Sequence, residues 1–355
     1  MPQRLTQLLE NEPVTSSAPC RVDMGGTLDI PAFHYALREL GPCTFNAAIN
    51  LRTRVTLLPH RNGYIKISSE GFEPAEFPAD SAPFSGHPLG LLFAVASYFS
   101  ATGVHVKVVS ESPVRAALGG SSAAAVACIA AFSRARARLD ERPLSLRQIV
   151  LLAHSIESNV SRVLCGLQDQ LAAAYGGVNA WFWPAPPDAI SYDKREILPE
   201  KDQPEFSQSM LVAYCGVPHD SLDINGQWVD GFLAGRTRAL WRAICALSLD
   251  FVEAVAAHDM AQAADIMNRE CAIRQELTPG VLTTPMRKCK DAAKAAGWGA
   301  RFTGAGGGGC VWALGPKEGQ AEVAAQWAKI MRETENGRML SCAVDPVGVV
   351  TDLAV

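Results

Sequence analysis

The sequence has no long apolar run, no excess of basic residues and no closely spaced pair of cysteines. A formal net charge of -4 provides no broad basic surface for nucleic acid or anionic lipid. No uninterrupted apolar stretch reaches the ~18 residues of a membrane span, and the N-terminal residues MPQRLTQLLENEP lack the apolar core of a signal peptide. The ten cysteines are scattered from Cys20 to Cys342, which favours reduced thiols over disulfides or a zinc site. We therefore expect a cytoplasmic protein that binds a small molecule and contacts neither nucleic acid nor a membrane.

The length and the residue patterns predict two lobes. The 355 residues, 48% of them hydrophobic, can bury a larger core than a single compact layer requires. Alternating apolar and polar residues predict half-buried strands, and runs of apolar or small residues predict helices. A proline-rich stretch after Trp181 suggests domains of residues 1–185 and 186–355. Strands are predicted at 50–57, 64–68, 104–108 and 210–214, and helices at 89–98, 122–138, 145–163 with Ser145 as N-cap, 228–258 and 260–275.

The stretch PVRAALGGSSAAAV, residues 113–126, places two glycines and two serines directly before a run of small residues. Free backbone N–H groups at a helix start, together with the positive end of the helix dipole, bind phosphate. A serine-capped, alanine-rich core helix explains the same pattern. The G-x-x-x-x-G-K-[ST] spacing of a P-loop is absent, so that nucleotide fold is not indicated.

Two further segments carry glycines near charged or polar residues. The run TGAGGGGCV begins at Thr303 and precedes a strand rather than a helix, which argues against a dinucleotide fingerprint. Two interpretations of this run remain: a flexible turn, or a close approach of its backbone to another group. The segment APCRVDMGGTLD, residues 18–29, adds an arginine and two aspartates around a glycine turn. Taken alone, this pattern indicates an ordinary hairpin.

The block CGLQDQLAAAYGG, residues 165–177, sets Asp169 among small and apolar residues, with Glu157 twelve positions upstream on a predicted helix. An aspartate in this setting acts either as a helix cap or as a catalytic carboxylate. The residues of this block alone leave both roles open.

Taken together, the four segments resemble the GHMP small-molecule kinases, in order and in spacing, over roughly residues 18 to 315. The CGLQDQ block looks most like the sugar kinases, particularly the heptose 7-phosphate kinase and fucokinase branch, close to the galactokinases. The resemblance implies an α+β, two-lobed fold. Its N-terminal lobe of strands and helices would be similar to domain 2 of ribosomal protein S5, and its C-terminal lobe would be ferredoxin-like.

The resemblance also implies roles for particular residues, with ATP and Mg²⁺ as cofactors. Asp169 would accept the proton of the acceptor hydroxyl, and Arg21 would lie beside it. Ser122, or alternatively Ser121, would reach Mg²⁺ together with Glu157. The ATP phosphates would lie on Leu118, Gly119, Gly120, Ser121 and Ser122. The acceptor would be bound by Asp29, Gly26, His34 and Gly177, and closed over by Gly304, Gly306 and Gly307.

The sequence departs from the family pattern at two places. Ala117 stands where the loop usually begins with glycine, which is a small change in volume. The first motif ends Gly25-Gly26-Thr27-Leu28-Asp29, which differs from the usual family forms. Because that turn helps to line the acceptor pocket, this difference leaves the identity of the acceptor undetermined. The expected function is ATP-dependent phosphorylation of a sugar or sugar phosphate by a monomer or homodimer. A kinase of a non-sugar alcohol and a catalytically silent sugar or nucleotide sensor are the alternatives.

Overall fold

The computed structural model describes residues 2–161, 164–184, 191–218 and 224–352, and within these ranges the chain forms two sheets with helices packed against them. The first part of the chain contains α1 (Pro2–Asn11), β1 (Val14–Met24), α2 (Pro31–His34), β2 (Cys43–Pro59), β3 (Tyr64–Ser69), β4 (Ala75–Pro78), α3 (Gly90–Tyr98), β5 (Val104–Ser110), α4 (Gly120–Ala137), α5 (Leu146–Ser161), α6 (Gln168–Tyr175), β6 (Val178–Phe182) and β7 (Asp193–Leu198).

The second part supplies most of the other lobe. It contains α7 (Gln203–Gln208), β8 (Met210–Cys215), α8 (Ile224–Leu233), α9 (Arg238–Ala256), α10 (Met260–Leu277), α11 (Thr284–Ala295), β9 (Gly299–Phe302), β10 (Cys310–Leu314), α12 (Gln320–Arg332), β11 (Gly337–Leu340) and β12 (Val350–Thr351).

The first sheet has the strand order β12-β1-β2-β5-β3-β4, and β6 pairs with the first half of β2 and with β7. Its pairs are antiparallel except for β3 with β5. The long strand β2 is buried over its first seven residues and then alternates toward solvent, as the predicted strand at 50–57 requires. The strands predicted at 64–68 and 104–108 are confirmed as β3 and β5.

The second sheet has the order β11-β8-β10-β9 and is antiparallel throughout. The predicted strand at 210–214 is confirmed as β8. Helices α10, α11 and α12 pack against this sheet, which gives the ferredoxin-like lobe. The expected two-lobed α+β fold is thus confirmed.

The start of α4 differs from the serine-capped alternative. The helix begins at Gly120, its N-cap is Gly119 with φ +74°, and no side chain caps it. Ser121 and Ser122 lie in its first turn, where their hydroxyls contact Glu157 instead. Most of the alanines that follow are buried, and the helix packs against β1 and β2, because small side chains let it lie close to the sheet.

Two other helix predictions have different outcomes. Ser145 caps α5 as expected, since its Oγ accepts the Gln148 N–H at 3.3 Å. The predicted end of this helix at Val163 lies outside the described residues. The single helical pattern predicted at 228–258 is wrong, because α8 ends at Leu233 and α9 begins at Arg238. Gly235, with φ +81°, supplies the left-handed turn between them.

The proposed domain boundary at residue 185, with its proline-rich turn, also lies outside the described residues and stays a prediction. β7 and β12 both follow that point in the sequence but pair with strands of the first sheet. The chain therefore returns to the first lobe at its end. Among the described helices, none has the length and apolar content to cross a membrane.

Candidate active site

A cavity of about 560 Å³ lies at the N-terminus of α4, between the two lobes. The structure brings together many of the predicted site residues around it. Those that line the cavity are Arg21, Asp29, Gly119, Gly120, Ser121, Ser122, Glu157, Asp169 and Gly304.

The loop before α4 forms the middle of the cavity wall. Its backbone is left-handed at alternate residues, with φ of +56° at Arg115, +58° at Ala117 and +74° at Gly119. Such alternation turns successive N–H groups toward one side and creates a concave anion site. Ala117 stands where the family usually has glycine, and it occupies a left-handed position although it has a Cβ. The difference from the family pattern therefore concerns backbone conformation as well as side-chain volume.

Glu157 holds the first turn of α4 from the opposite side. Ser121 Oγ donates to its Oε1 and Ser122 Oγ to its Oε2, both at 2.7 Å. Gln170, which the sequence analysis did not single out, donates from Nε2 to Glu157 Oε2 at 2.7 Å. Burial raises the pKa of Glu157, although the hydrogen bonds from the two serines act in the other direction.

Asp169 and Arg21 form a two-point ion pair at the cavity wall. Arg21 Nε donates to Asp169 Oδ1 at 2.8 Å, and Nη2 donates to Oδ2 at 3.0 Å. Burial alone would lower the pKa of Arg21, but the charges of Asp169 and Asp23 and the hydrogen bonds to Asp169 together raise it overall. A Cβ at Gly119 would lie 3.3 Å from the Asp169 carboxylate, so the loop backbone passes beside the carboxylate. The ion pair and the anion loop are thus neighbours.

Asp29 also lines the cavity and is 3% exposed. Its Oδ2 accepts the backbone N–H of Gln168 at 2.9 Å, which ties it to the start of α6. Burial raises the pKa of Asp29 to about 6, and the negative charge of Asp169 acts in the same direction. This carboxyl group therefore titrates well above the usual range of an aspartate.

Asp23 joins the first motif to the late glycine run. Its Oδ1 accepts the Gly304 N–H at 2.9 Å, and its Oδ2 accepts from Arg301 Nη1 at 3.0 Å. Burial opposes ionisation of Asp23, but the charges of Arg301 and Arg21 outweigh it and lower the pKa. Sequence reasoning did not assign Asp23, although it stands within the quoted motif.

A buried arginine fixes the glycine turn from the other lobe. Arg274 Nη2 donates to the Gly26 carbonyl at 2.7 Å, and Nη1 donates to Thr27 Oγ1 at 3.3 Å. Thr27 lines the cavity with φ +82°, a left-handed conformation that is unusual for a β-branched residue. Such strain concentrates at functional sites.

Five other predicted residues lie outside the cavity lining. Leu118 is a core residue whose carbonyl accepts the Arg21 N–H at 3.0 Å. His34 is buried and stacks on Trp183 at 6.0 Å between ring centroids. Gly177 joins the first sheet to the C-terminal segment, since its N–H donates to the Asp345 carbonyl at 2.7 Å. Gly306 and Gly307 face Val281 instead of the cavity.

Gly26 also lies outside the lining, and its role is to leave space. A Cβ there would meet Asp23 Oδ2 at 2.5 Å and Gln168 Nε2 at 2.7 Å. Gly26 therefore leaves room for these two side chains, and its predicted contact with the substrate stays a prediction. Only the folded arrangement reveals this, because Gln168 is more than a hundred residues away in the sequence.

The cavity continues beyond the anion loop into an apolar section that sequence reasoning missed. Single apolar residues on several strands and loops carry no pattern that distinguishes them from core. This section is lined by Phe72, Pro88, Leu89, Leu92 and Val108, with the hydroxyls of Thr53 and Ser110 beside them.

The residues at the start of α4 fit a magnesium ion. Glu157 offers a carboxylate, Ser121 and Ser122 offer hydroxyls, and all are oxygen donors of the kind that Mg²⁺ prefers. Within the described ranges, no group of three or more His, Cys, Asp or Glu side chains is placed to hold a metal. Binding here would therefore depend on phosphate oxygens and water as further ligands.

Comparison with known families identifies both lobes. The family described as GHMP kinases N terminal domain matches residues 89–177, and the family described as GHMP kinases C terminal matches residues 251–333. The first match contains the anion loop, Glu157 and Asp169. The chain therefore belongs to the GHMP kinase superfamily, whose members use ATP.

The individual relatives are named as kinases of different acceptors, mevalonate in one case and sugars in the others. The chain is 28% identical over 339 residues to a mevalonate kinase of Thermococcus gammatolerans, covering 88% of this chain and 91% of the relative. Among solved structures, Lactococcus lactis galactokinase complexed with galactose has a TM-score of 0.75 at 15% identity, with 98% of each chain covered. A D-glycero-D-manno-heptose 1-phosphate kinase from Bacteroides thetaiotaomicron has a TM-score of 0.71 at 18% identity, with coverage of 96% and 99%. At these identities the structural likeness shows the fold alone.

Proposed function

We propose that this protein transfers the γ-phosphoryl group of ATP to a hydroxyl of a sugar or sugar phosphate. The observation that carries the proposal is the position of Asp169, which is held by Arg21 beside the anion loop at one wall of the cavity. A phosphate group on the loop and a hydroxyl near Asp169 would be close neighbours. Phosphoryl transfer depends mainly on such positioning and on stabilisation of charge.

ATP would lie along the cavity with its phosphates on the loop before α4. The N–H groups of residues 119–122 and the helix dipole attract the phosphate oxygens. The apolar section around Phe72 and Leu92 suits the base, because adenine is flat and largely apolar on its faces. Glu157 and Ser122 would hold Mg²⁺, which when bound neutralises charge on the phosphates.

Asp169 would orient the acceptor hydroxyl and take its proton. Because the carboxylate accepts two hydrogen bonds from Arg21, its direction is fixed and its charge is balanced. A strong base is not required when the transition state is loose. Arg21 would also help to balance the negative charge that develops during transfer.

Asp29 supports a hydroxyl-bearing acceptor. Its buried carboxyl group lines the same cavity as Asp169 and accepts from the Gln168 N–H with one oxygen. A carboxylate binds hydroxyl donors well and repels a negatively charged group. This favours a sugar over an acid such as mevalonate. The names of the relatives favour the mevalonate-type alternative.

The test is acceptor-dependent release of ADP by the purified protein with Mg-ATP. The panel comprises D-galactose, L-fucose, D-mannose, a heptose 7-phosphate and (R)-mevalonate, with the product checked by ³¹P NMR. Sugar-dependent release supports the proposal. Release with mevalonate alone favours the non-sugar kinase, and ATP binding without release for any acceptor favours the sensor.

Asp169→Asn tests the assigned proton acceptor. We expect kcat to fall by roughly 10²- to 10⁴-fold, the usual contribution of a positioned acid or base. Asp352→Asn is the matched control, since Asp352 also pairs with arginines but lies on the surface away from the cavity. Undiminished turnover in Asp169→Asn contradicts the assignment.

A further inference from the structure

Gln168 is a side chain of the cavity that the mechanism above does not use. It is the first residue of α6, immediately before Asp169, and it is 8% exposed. It lines the cavity together with Asp29 and Thr27. Its position makes it a neighbour of both the proton acceptor and the acceptor-binding carboxyl group.

The main chain of Gln168 is fixed. Its N–H donates to Asp29 Oδ2 at 2.9 Å, and its carbonyl accepts from Asn46 Nδ2 at 3.0 Å. Asn46 is itself held, because its Oδ1 accepts from Trp181 Nε1 at 3.1 Å. The side chain of Gln168 therefore extends from a backbone that cannot easily shift.

The amide oxygen of Gln168 is buried without a hydrogen-bond partner in the described part of the chain. An unsatisfied buried acceptor destabilises the folded protein, so such a group is retained where something else satisfies it. The neighbouring turn accommodates this side chain, since a Cβ at Gly26 would lie 2.7 Å from Gln168 Nε2. A rotation of the amide plane by 180° exchanges its oxygen and nitrogen. The amide can thus present either a donor or an acceptor to a ligand.

We propose that Gln168 is a specificity-determining residue that contacts the acceptor and hydrogen-bonds a hydroxyl next to the one bound by Asp29. Thr27 adds a third polar group. Its oxygen accepts from Arg274, which leaves its own proton available to the cavity. A carboxylate, an amide and a hydroxyl together match neighbouring hydroxyls of a polyol, whereas an acceptor with one isolated hydroxyl would leave the amide unsatisfied. This inference rests on the proposed sugar kinase function.

Gln168→Met tests the proposal, because it keeps length and helix propensity and removes hydrogen bonding. With the best sugar of the panel, we expect the acceptor KM to rise about tenfold, the value of roughly one hydrogen bond, with the ATP KM unchanged. We expect the melting temperature to stay the same or rise, since an unsatisfied buried oxygen is removed. Discrimination between D-galactose and D-mannose should shrink as well.

Two further variants separate this role from a structural one. Gln168→Asn keeps the amide but withdraws it by one methylene, and we expect an intermediate acceptor KM. Gln203→Met is the matched control, because Gln203 is also buried with an unpartnered amide oxygen but lies away from the cavity. Its kinetic constants should match those of the wild type.

The outcomes distinguish the two proposals. An unchanged acceptor KM in Gln168→Met overturns the role of Gln168 while the wild-type enzyme still phosphorylates a sugar. A lower melting temperature with an unchanged acceptor KM does the same and assigns Gln168 to structure. A wild-type protein that phosphorylates no sugar of the panel overturns the proposed function and this inference with it.

Discussion

Glu270 is the centre of a buried charge cluster whose removal should destabilise the protein strongly. Its Oε1 accepts from Arg274 Nε at 2.7 Å, and its Oε2 accepts from Arg301 Nε at 3.2 Å. All three residues are fully buried. Trp228 and Trp241 cover Arg274, with its guanidinium carbon 4.8 and 4.6 Å from their ring centroids. Complete burial and the two tryptophan rings thus shield the cluster from solvent.

Glu270→Gln leaves two buried guanidinium groups without their shared counter-charge. Breaking a buried ion pair from one side costs roughly 3–5 kcal/mol. For a long chain, ~2 °C of melting temperature is lost per kcal/mol, so we expect a fall of about 6 to 10 °C. Differential scanning calorimetry measures this fall. The matched control is Glu253→Gln, which breaks an exposed pair with Arg195 and should change little.

The double variant Glu270→Met with Arg274→Met sharpens the test. It removes one positive and one negative charge together, so it should be less destabilising than the sum of the two single variants. The charges are not coupled in a dry interior if the stability lost in the double variant equals the sum for the two single variants. The same conclusion follows if Glu270→Gln lowers the melting temperature by less than about 2 °C. Because Arg274 also holds Gly26 and Thr27, a destabilised cluster should raise the acceptor KM as well.

Two other predictions concern the cavity. Glu157→Gln should raise the Mg²⁺ concentration for half-maximal turnover at least tenfold, because it replaces the charged carboxylate ligand with a neutral amide. An unchanged magnesium titration would contradict this assignment. Asp29 has its pKa raised from 3.8 to about 6 by burial, so its ionisation should lower the stability of the protein as pH rises from about 4 to about 6. Asp29→Asn should remove this loss in calorimetric scans across that pH range, and an unaltered pH dependence would contradict it.

Patterns within one segment were sufficient for four of the strands, β2, β3, β5 and β8, and for the helix at the anion loop. The alternation at residues 50–57 reflects a strand with one solvated face, and that relation is local. The break between α8 and α9 was missed, because helical patterns of apolar residues lie on both sides of Gly235 and the polar residues that follow it also suit a helix surface. Glycine inside a helical pattern is tolerated often enough that it does not mark an end by itself.

The site depends on contacts between distant residues, and these could not be predicted from one sequence. Glu270 and Arg274 are four residues apart on α10, a spacing that is typical of an exposed helix pair. Burial follows only because Arg301 on β9 and the turn at Gly26 close over them. The assignments of Glu157 and Asp169 came from family resemblance, whereas the roles of Gln168 and Asp23 required the folded geometry.

The charge of Asp29 also bears on the class of acceptor. A sugar donates hydrogen bonds to a carboxylate, so its KM should fall as pH rises through about 6 and Asp29 ionises. Mevalonate carries its own carboxylate, which would be repelled by ionised Asp29, so its KM should rise over the same range. The two acceptors therefore respond to one titration in opposite directions. Because Asp29→Asn should flatten either profile, the sign of the slope in the wild type distinguishes a kinase suited to polyols from one suited to acids.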